Sequence, residues 1–397
     1  MLIKNNTAAV MGEVLPQKKA VKNLNLPPLS LYIHYPWCVK KCPYCDFNSH
    51  EGEDRNGYIE ALLKDLDKDL KYVQGRSIHS IFIGGGTPSL MSADELHELF
   101  TGLKSKLTFE KNIEITLETN PGTFEVDKFK AFKDIGINRL SIGVQSFQDR
   151  HLNALGRIHS AEDASKACTY ASQIFNNFNI DLMYGLEGQS IDDCLSDLNQ
   201  AIDLSPQHVS FYQLTIEPNT LFAKFPPTLP KDDDIWRMGE QGVALLEQHG
   251  FERYEVSAFG KIPSKHNLNY WRFGDYIGIG AGAHGKITES KTGKVVRTLK
   301  SKSPKEYIQN RNKTLEVIDN LSFEFMLNAL RLKNGFDVDL FKARTGKDIN
   351  VINEQLKRAE SMGLVNLTKD RITPTKKGFD FLNDLIFFYF MLIKFYH

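Results

Sequence analysis

The run Tyr32-Ile33-His34-Tyr35-Pro36-Trp37-Cys38-Val39-Lys40-Lys41-Cys42-Pro43-Tyr44-Cys45-Asp46-Phe47 holds three of the chain's five cysteines within eight residues, spaced C-x3-C-x2-C. An apolar, strand-like stretch from Leu31 to Tyr35 leads into it, and Pro36 and Pro43 stiffen the loop. Three thiolates this close suit soft metal ligation, and iron–sulfur clusters are held by such cysteine runs. On a four-iron cubane, Cys38, Cys42 and Cys45 would leave one iron open to a small ligand. A structural zinc site draws four ligands, usually from two paired knuckles, and no second C-x2-C exists; His34 would have to serve from the strand ahead of the loop. A disulfide suits neither an odd, crowded trio nor a chain without a secretory leader. The cluster is the expected occupant.

Downstream, the apolar pattern alternates between two periods. Ile59, Leu62, Leu63, Leu66 and Leu70 predict an amphipathic helix over Tyr58 to Tyr72. Ile78 to Ile83 reads as a buried strand and runs straight into Gly84-Gly85-Gly86-Thr87-Pro88. A helix follows over Ala93 to Leu103, with Ser92 as N-cap and Glu95 completing a capping box. Further strands are expected at Ile113 to Glu118, Arg139 to Val144, Asn179 to Tyr184 and His208 to Leu214, with helices at Val126 to Asp134, Ala161 to Phe175 and Ile191 to Leu204 between them. Six strand–helix units predict an α/β fold with a parallel sheet and right-handed crossovers, a partial (β/α)6-type barrel. Active sites of such barrels collect at the C-terminal ends of the strands. The cysteines, the glycine loop, Glu118, Gln145, Asp181 and Gln213 all fall at or near those ends.

From Pro226 the pattern changes. Trp236 to His249 reads as a helix and Tyr254 to Phe259 as a seventh, edge-like strand. Then come Lys265-His266-Asn267-Leu268-Asn269-Tyr270-Trp271, a Gly-rich run from Gly274 to Gly285, and a linker or crossover over Ser301 to Thr314. Helices at Phe323 to Leu332, Asp339 to Thr345 and Val351 to Met362, a hairpin over Leu364 to Ile372 and a closing helix over Lys376 to Leu385 predict a smaller α+β, winged-helix-like domain. The expected division is a flexible extension over 1–28, the barrel with the histidine motif over 29–300, and the second domain over 301–397. The aromatic end, Leu385 to Tyr396, is too short to span a bilayer and is expected against the domain, at an interface or at a membrane surface.

Lys plus Arg equals Asp plus Glu at 49 each, so no overall charge argues for nucleic acid, and the winged domain is expected to act as an interaction or lid element. No apolar run reaches the roughly 18 residues a membrane helix needs. The N-terminus lacks an apolar leader core, which makes the cytoplasm the expected compartment and limits membrane contact to the periphery. Cys168 and Cys194 sit on helix patterns and read as small buried hydrophobes.

The cysteine spacing after the first strand, with Tyr44 before the last cysteine, resembles that of the radical S-adenosylmethionine (SAM) enzymes. The resemblance implies a [4Fe-4S] cluster on Cys38, Cys42 and Cys45, whose open iron chelates SAM, and an electron donor that triggers cleavage of SAM to a 5′-deoxyadenosyl radical. It also implies SAM contacts from Tyr32, Tyr44, Gly85, Gly86, Thr87, Glu118, Gln145, Arg157 and Asp181. Ser30 to Cys38, the Gly84 to Ser89 loop and Leu140-Ser141-Ile142-Gly143-Val144-Gln145-Ser146-Phe147 are similar to the oxygen-independent coproporphyrinogen III oxidase group, and the match covers residues 29 to 390. Two departures point within that group to the HemW heme chaperones. The oxidase carries a further cysteine two residues beyond the triad, where this chain has Phe47, and His266-Asn267-x-x-Tyr270-Trp271 matches the chaperones' signature. That resemblance implies heme as cargo and apo-hemoproteins as acceptors. His266 then becomes the candidate axial ligand, with Tyr270 and Trp271 as candidate porphyrin walls. Nothing in the sequence separates a monomer from a homodimer. The alternatives are the oxidase itself, decarboxylating coproporphyrinogen III, or another radical SAM enzyme.

Overall fold

Every second residue of the first strand is apolar, and the computed structural model, which describes residues 26–386 except 53 and 311, turns that alternation into a two-sided wall. In β1 (Leu29–Tyr35), Leu29, Leu31, Ile33 and Tyr35 are buried beneath the helices, while Ser30, Tyr32 and His34 face the opposite way. Chain order then runs α1 (Tyr58–Asp69), β2 (Ile78–Gly85), α2 (Ala93–Lys106), β3 (Phe109–Thr119), α3 (Val126–Ile135), β4 (Arg139–Gln145), α4 (Ala161–Ile174), β5 (Phe178–Tyr184), α5 (Ile191–Asp203) and β6 (His208–Gln213). Neighbouring strands among these six pair in parallel, each joined to the next through a helix. Capping boxes start three of the helices: Ser92 with Glu95, Ser160 with Asp163 and Ser190 with Asp193. Each such cap is worth about 1 kcal/mol. The partial α/β barrel is the architecture expected from the alternation.

Beyond β6 the chain departs from expectation. After α6 (Asp232–Gln248), the single strand foreseen over 254–259 is two short pieces, β7 (Glu252–Arg253) and β8 (Ala258–Gly260), folded back antiparallel on each other and on β6. The histidine motif forms a helix, α7 (Lys265–Trp271). Much of the Gly-rich run is β9 (Asp275–Ile279), which pairs in parallel with the free edge of β1 and makes a seventh parallel strand. β10 (His284–Thr288), β11 (Val295–Lys300) and β12 (Lys313–Val317) continue antiparallel, so the sheet order is β12-β11-β10-β9-β1-β2-β3-β4-β5-β6-β8-β7. The stretch read as a linker is therefore helix α8 (Pro304–Asn310) followed by an edge strand of the main sheet.

One buried charge cluster fastens this extension to the barrel. Lys300 of β11, fully enclosed, pairs with Asp65 and Asp69 of α1, while the Tyr307 hydroxyl donates to Asp65 at 2.7 Å and Lys313 adds a second cation to Asp69. Burial pushes the Asp65 carboxyl above its ordinary value even though Lys300 opposes it.

A second hydrophobic cluster holds α9 (Leu321–Ala329), α10 (Val338–Thr345) and α11 (Asn353–Ser361) against a three-stranded sheet of order β13-β15-β14, made of β13 (Phe336–Asp337), β14 (Val365–Leu367) and β15 (Arg371–Pro374). Phe273 and Val295 of the main body join that cluster, and Glu255 bridges to Leu332. The closing helix is α12 (Lys376–Asp380), interrupted by a turn at Phe381, after which the chain is helical again over 382–386, so the expected helix to Leu385 is present with one break. The expected N-terminal extension, apart from its last residues, and the aromatic end beyond Ile386 lie outside the described residues.

Candidate functional site

The loop after β1 is pinned before any ligand enters. Trp37–Cys38 pairs with His50–Glu51, and the Cys45 amide donates to the Cys42 carbonyl at 3.1 Å. All three cysteines are free, half-buried, and line one cavity of about 510 Å³ at the C-terminal end of the parallel strands. Each thiol has a polar neighbour. Thr87 Oγ1 donates to Cys38 Sγ at 3.6 Å, Arg157 Nη1 donates to Cys42 Sγ at 3.6 Å, and Ser49 Oγ lies 3.9 Å from Cys45 Sγ. Burial pushes the Cys38 and Cys45 thiols up. Among the described residues no three His, Cys, Asp or Glu side chains close around a single ion. A polynuclear cluster gives each thiolate its own iron and suits a wider trio than one zinc ion does.

The glycine loop abuts the same turn. The Gly86 amide donates to the Tyr35 carbonyl at 2.8 Å, and the Thr87 amide to the Trp37 carbonyl at 2.7 Å. A Cβ on Gly86 would meet Trp37 O at 2.5 Å, and Gly85, at φ +111°, would drive one into the His34 ring at 2.4 Å. Two backbones touch here, and only glycine permits it.

The polar interior of the barrel faces this loop. Glu118 of β3 accepts from the Gly85 amide at 3.0 Å. Burial and then Asp181 push its carboxyl up to about 8, against the pull of the Gly85 amide. Burial also raises Asp181, although Asn179 and Ser141 donate to it at 2.8 and 3.2 Å. Gln145 holds φ 72°, a backbone strain of roughly 1–3 kcal/mol for a residue with a Cβ, and its Oε1 accepts from the Tyr212 hydroxyl at 2.8 Å. Arg157 donates to the Gly143 carbonyl and to Asn120 Oδ1, each at 2.6 Å, and to the Tyr44 hydroxyl at 3.4 Å. Burial works against its charge, but Tyr44 and Cys42 hold the guanidinium above its ordinary value. Asn120 and Tyr212 escaped the sequence reading. Asn120 bridges Arg157 to Thr87, to which it donates at 2.8 Å, and no local pattern marks it.

Tyr32 lies elsewhere. Its hydroxyl meets His34 Nδ1 at 2.9 Å and its ring opens onto a second cavity of about 550 Å³, lined also by Tyr270, Tyr276, His284 and Lys302. Phe47, Gly85 and Glu118 border both cavities, so the two rooms share a wall.

The histidine motif reaches both rooms through its aromatic residues, but His266 itself lines neither. Glu114 of β3 accepts from the Ser264 hydroxyl and from the amides of Lys265 and His266, fixing the start of α7 against the N-terminal halves of the strands. His266 is 1% exposed, with Nδ1 2.9 Å from Ser80 Oγ and Nε2 3.0 Å from the Tyr270 hydroxyl. Burial, then Arg139, pushes it down to about 3. As placed, neither ring nitrogen is free for a metal. Tyr270 and Trp271 do not form one wall either. Adjacent residues on a helix diverge, and Tyr270 faces the second cavity while Trp271 faces the first.

Comparison with known proteins places this architecture. The family model described as the Radical SAM superfamily matches residues 32–201, and that described as the HemN C-terminal domain matches 319–381. The heme chaperone HemW of Escherichia coli is 49% identical over 373 residues, covering 91% of this chain and 98% of that protein. The HemW of Bacillus subtilis is 32% identical, covering 88% and 96%. The chain belongs to the HemW family. A solved structure of E. coli coproporphyrinogen III oxidase, a radical SAM enzyme, shares the fold with TM-score 0.77 and 22% identity over 91% of this chain and 90% of that one. The HemW match spans both the barrel and the smaller unit, so neither part is an addition peculiar to this chain. No helix among the described residues is long and apolar enough to cross a membrane.

Proposed function

We propose that this HemW-family chain is a cytoplasmic heme chaperone, holding a [4Fe-4S] cluster on Cys38, Cys42 and Cys45, binding SAM in the first cavity and passing heme to apo-hemoproteins. The observation that carries this reading is the 49% identity, over 98% of its length, to a protein named heme chaperone HemW. The thiol trio and the glycine-lined turn fit the cluster and SAM. The chemistry supplied there is one-electron cleavage of the sulfonium, fed by an external donor. The protein's own part is electrostatic and positional. Glu118 and Asp181 offer carboxylates to an ammonium or to ribose hydroxyls, Thr87 and Gln145 add neutral polar groups, and Arg157 keeps its charge beside Cys42 and Tyr44. Phe47, 58% exposed over the mouth, puts an aromatic ring where the oxidase has a cysteine.

The test is one anaerobic, reconstituted preparation assayed twice. It is expected to bind heme stoichiometrically and to give it up to an apo-hemoprotein, read as the acceptor's Soret band, while leaving coproporphyrinogen III unchanged in the presence of SAM and reductant. Failure to bind heme sinks the chaperone reading, and turnover of the porphyrinogen would install the oxidase in its place.

SAM binding should depend on pH through Glu118. Its carboxyl, raised to about 8, is neutral at pH 7 and becomes an anion above that value, so affinity for the cationic ligand is expected to rise between pH 7 and 9. Calorimetric titration of the clustered protein across that range should show the rise, and Glu118→Gln should flatten it. An unchanged slope in the variant would remove Glu118 from the SAM contacts.

A further inference from the structure

We propose that heme carried by this chain sits in the second cavity, against Tyr32, Tyr270 and Tyr276, with His284 as its axial ligand and Lys302 pairing with a propionate. The inference rests on the chaperone reading and gives that cargo a seat.

The first argument is space. The first cavity, at about 510 Å³, contains the cysteines and the polar groups suited to SAM, and a pocket for one drug-sized ligand takes roughly 300–1,000 Å³. A macrocycle and a nucleoside sulfonium do not share it. The adjoining room offers about 550 Å³ of its own.

The second argument is lining. Tyr270 and Tyr276 meet edge to face at 4.5 Å between ring centres, and Tyr32 stacks on Phe82 at 6.4 Å, which gives the room rigid aromatic flanks suited to a flat apolar ring.

The third is the choice among imidazoles. His34 is engaged at both nitrogens, by the Tyr32 hydroxyl and the Asn48 carbonyl, each at 2.9 Å. His266 is engaged by Ser80 and Tyr270. His50 borders the room, but its Nε2 is shut off from solvent. His284, at the start of β10, is exposed, borders the cavity and has no side-chain hydrogen bond among the described residues. Although the residue is exposed, the walls around its ring partly desolvate it and, with the nearby Lys302 and Arg297, hold it below its ordinary pKa, so at neutral pH it is the uncharged imidazole that a heme iron takes. Lys302 borders the same room and makes no ion pair among the described residues, leaving its ammonium for a carboxylate. The role left to His266 is positional: it holds the Tyr270 hydroxyl and so sets one flank of the seat.

The experiment titrates heme into full-length, anaerobically reconstituted protein and follows the Soret band and the electron paramagnetic resonance of the iron. Wild type should show a histidine-ligated heme. His284→Ala should lose that signature and at least tenfold in affinity while keeping its iron–sulfur absorption, and added imidazole should restore the signature. His50→Ala should behave as wild type, and Lys302→Ala should weaken binding without changing the ligand signature. A wild-type spectrum in His284→Ala, or a loss that imidazole does not restore, overturns the assignment. So does a signature that survives in His284→Ala but vanishes in His266→Gln. Wild-type protein that binds no heme at all would instead bring down the chaperone reading, and this seat with it.

Discussion

Cys42→Ser should leave the chain folded and without its cluster. Serine is a hard, protonated ligand at neutral pH, and two remaining thiolates do not close the protein side of a cubane. The substitution also strips Arg157 of a sulfur neighbour at 3.6 Å, while the guanidinium keeps its bonds to Asn120 and Gly143. Cys42 is half-buried and belongs to no hydrophobic cluster, so circular dichroism should match wild type. Changes in groups that merely support a metal ligand lower affinity on the order of 10–100-fold, and loss of a ligand should do at least as much. Iron and sulfide analysis after anaerobic reconstitution, together with the visible absorption of the cluster, reads this directly. Retention of a full complement of iron and sulfide would show that the triad is not the cradle described above.

Lys300→Met should produce a large loss of stability. It removes the cation and leaves Asp65 and Asp69 facing each other in a site closed to water, with Lys313 reaching Asp69 alone. Breaking one side of a buried ion pair costs about 3–5 kcal/mol. For a chain of 397 residues that is a fall in Tm of about 4–6 °C. The deficit should shrink in acid. Burial already raises Asp65, and without Lys300 its folded pKa lies higher still, so the variant's penalty grows as pH rises through the carboxylate range and fades as pH falls and Asp65 takes a proton. Thermal melts of both proteins at pH 5 and 8 check sign and size together. Equal melting temperatures at pH 8 would mean that α1 and β11 are held by packing alone.

How far the structure is legible in the sequence depends on whether a signal is local. The six barrel strands announce themselves because one face packs on helices, as Leu29, Leu31 and Ile33 do, and helix starts such as Ser92 with Glu95 carry their capping chemistry in four residues. The seventh parallel strand hides behind its glycines. A Cβ on Gly278 would meet the His284 carbonyl at 1.8 Å, and one on Gly280 the His34 carbonyl at 2.3 Å. Tight packing of β1, β9 and β10 demands glycine, and glycine in a sequence looks like a loop. The edge strand β12 is almost wholly exposed, so no apolar alternation marks it. In the site, the cysteines are legible because they are contiguous. The contacts of Asn120 and the enclosure of His266 are not, because their partners Arg157 and Ser80 come from distant parts of the chain.

Glu118 stands in the wall between the two rooms and lines both, so ligands bound as proposed would share one carboxyl group. Once ionised above about pH 8, its charge bears on Asp181's side of the wall and also on the Tyr32 and Tyr270 hydroxyls on the other, which it helps to hold in their protonated form. Two ligands that read the same carboxylate do not bind independently. By thermodynamic reciprocity, whatever factor SAM imposes on the affinity for heme, heme imposes on the affinity for SAM. With SAM in the first room and heme in the second as proposed, loading one would reset the grip of the other without any hinge or lid having to move.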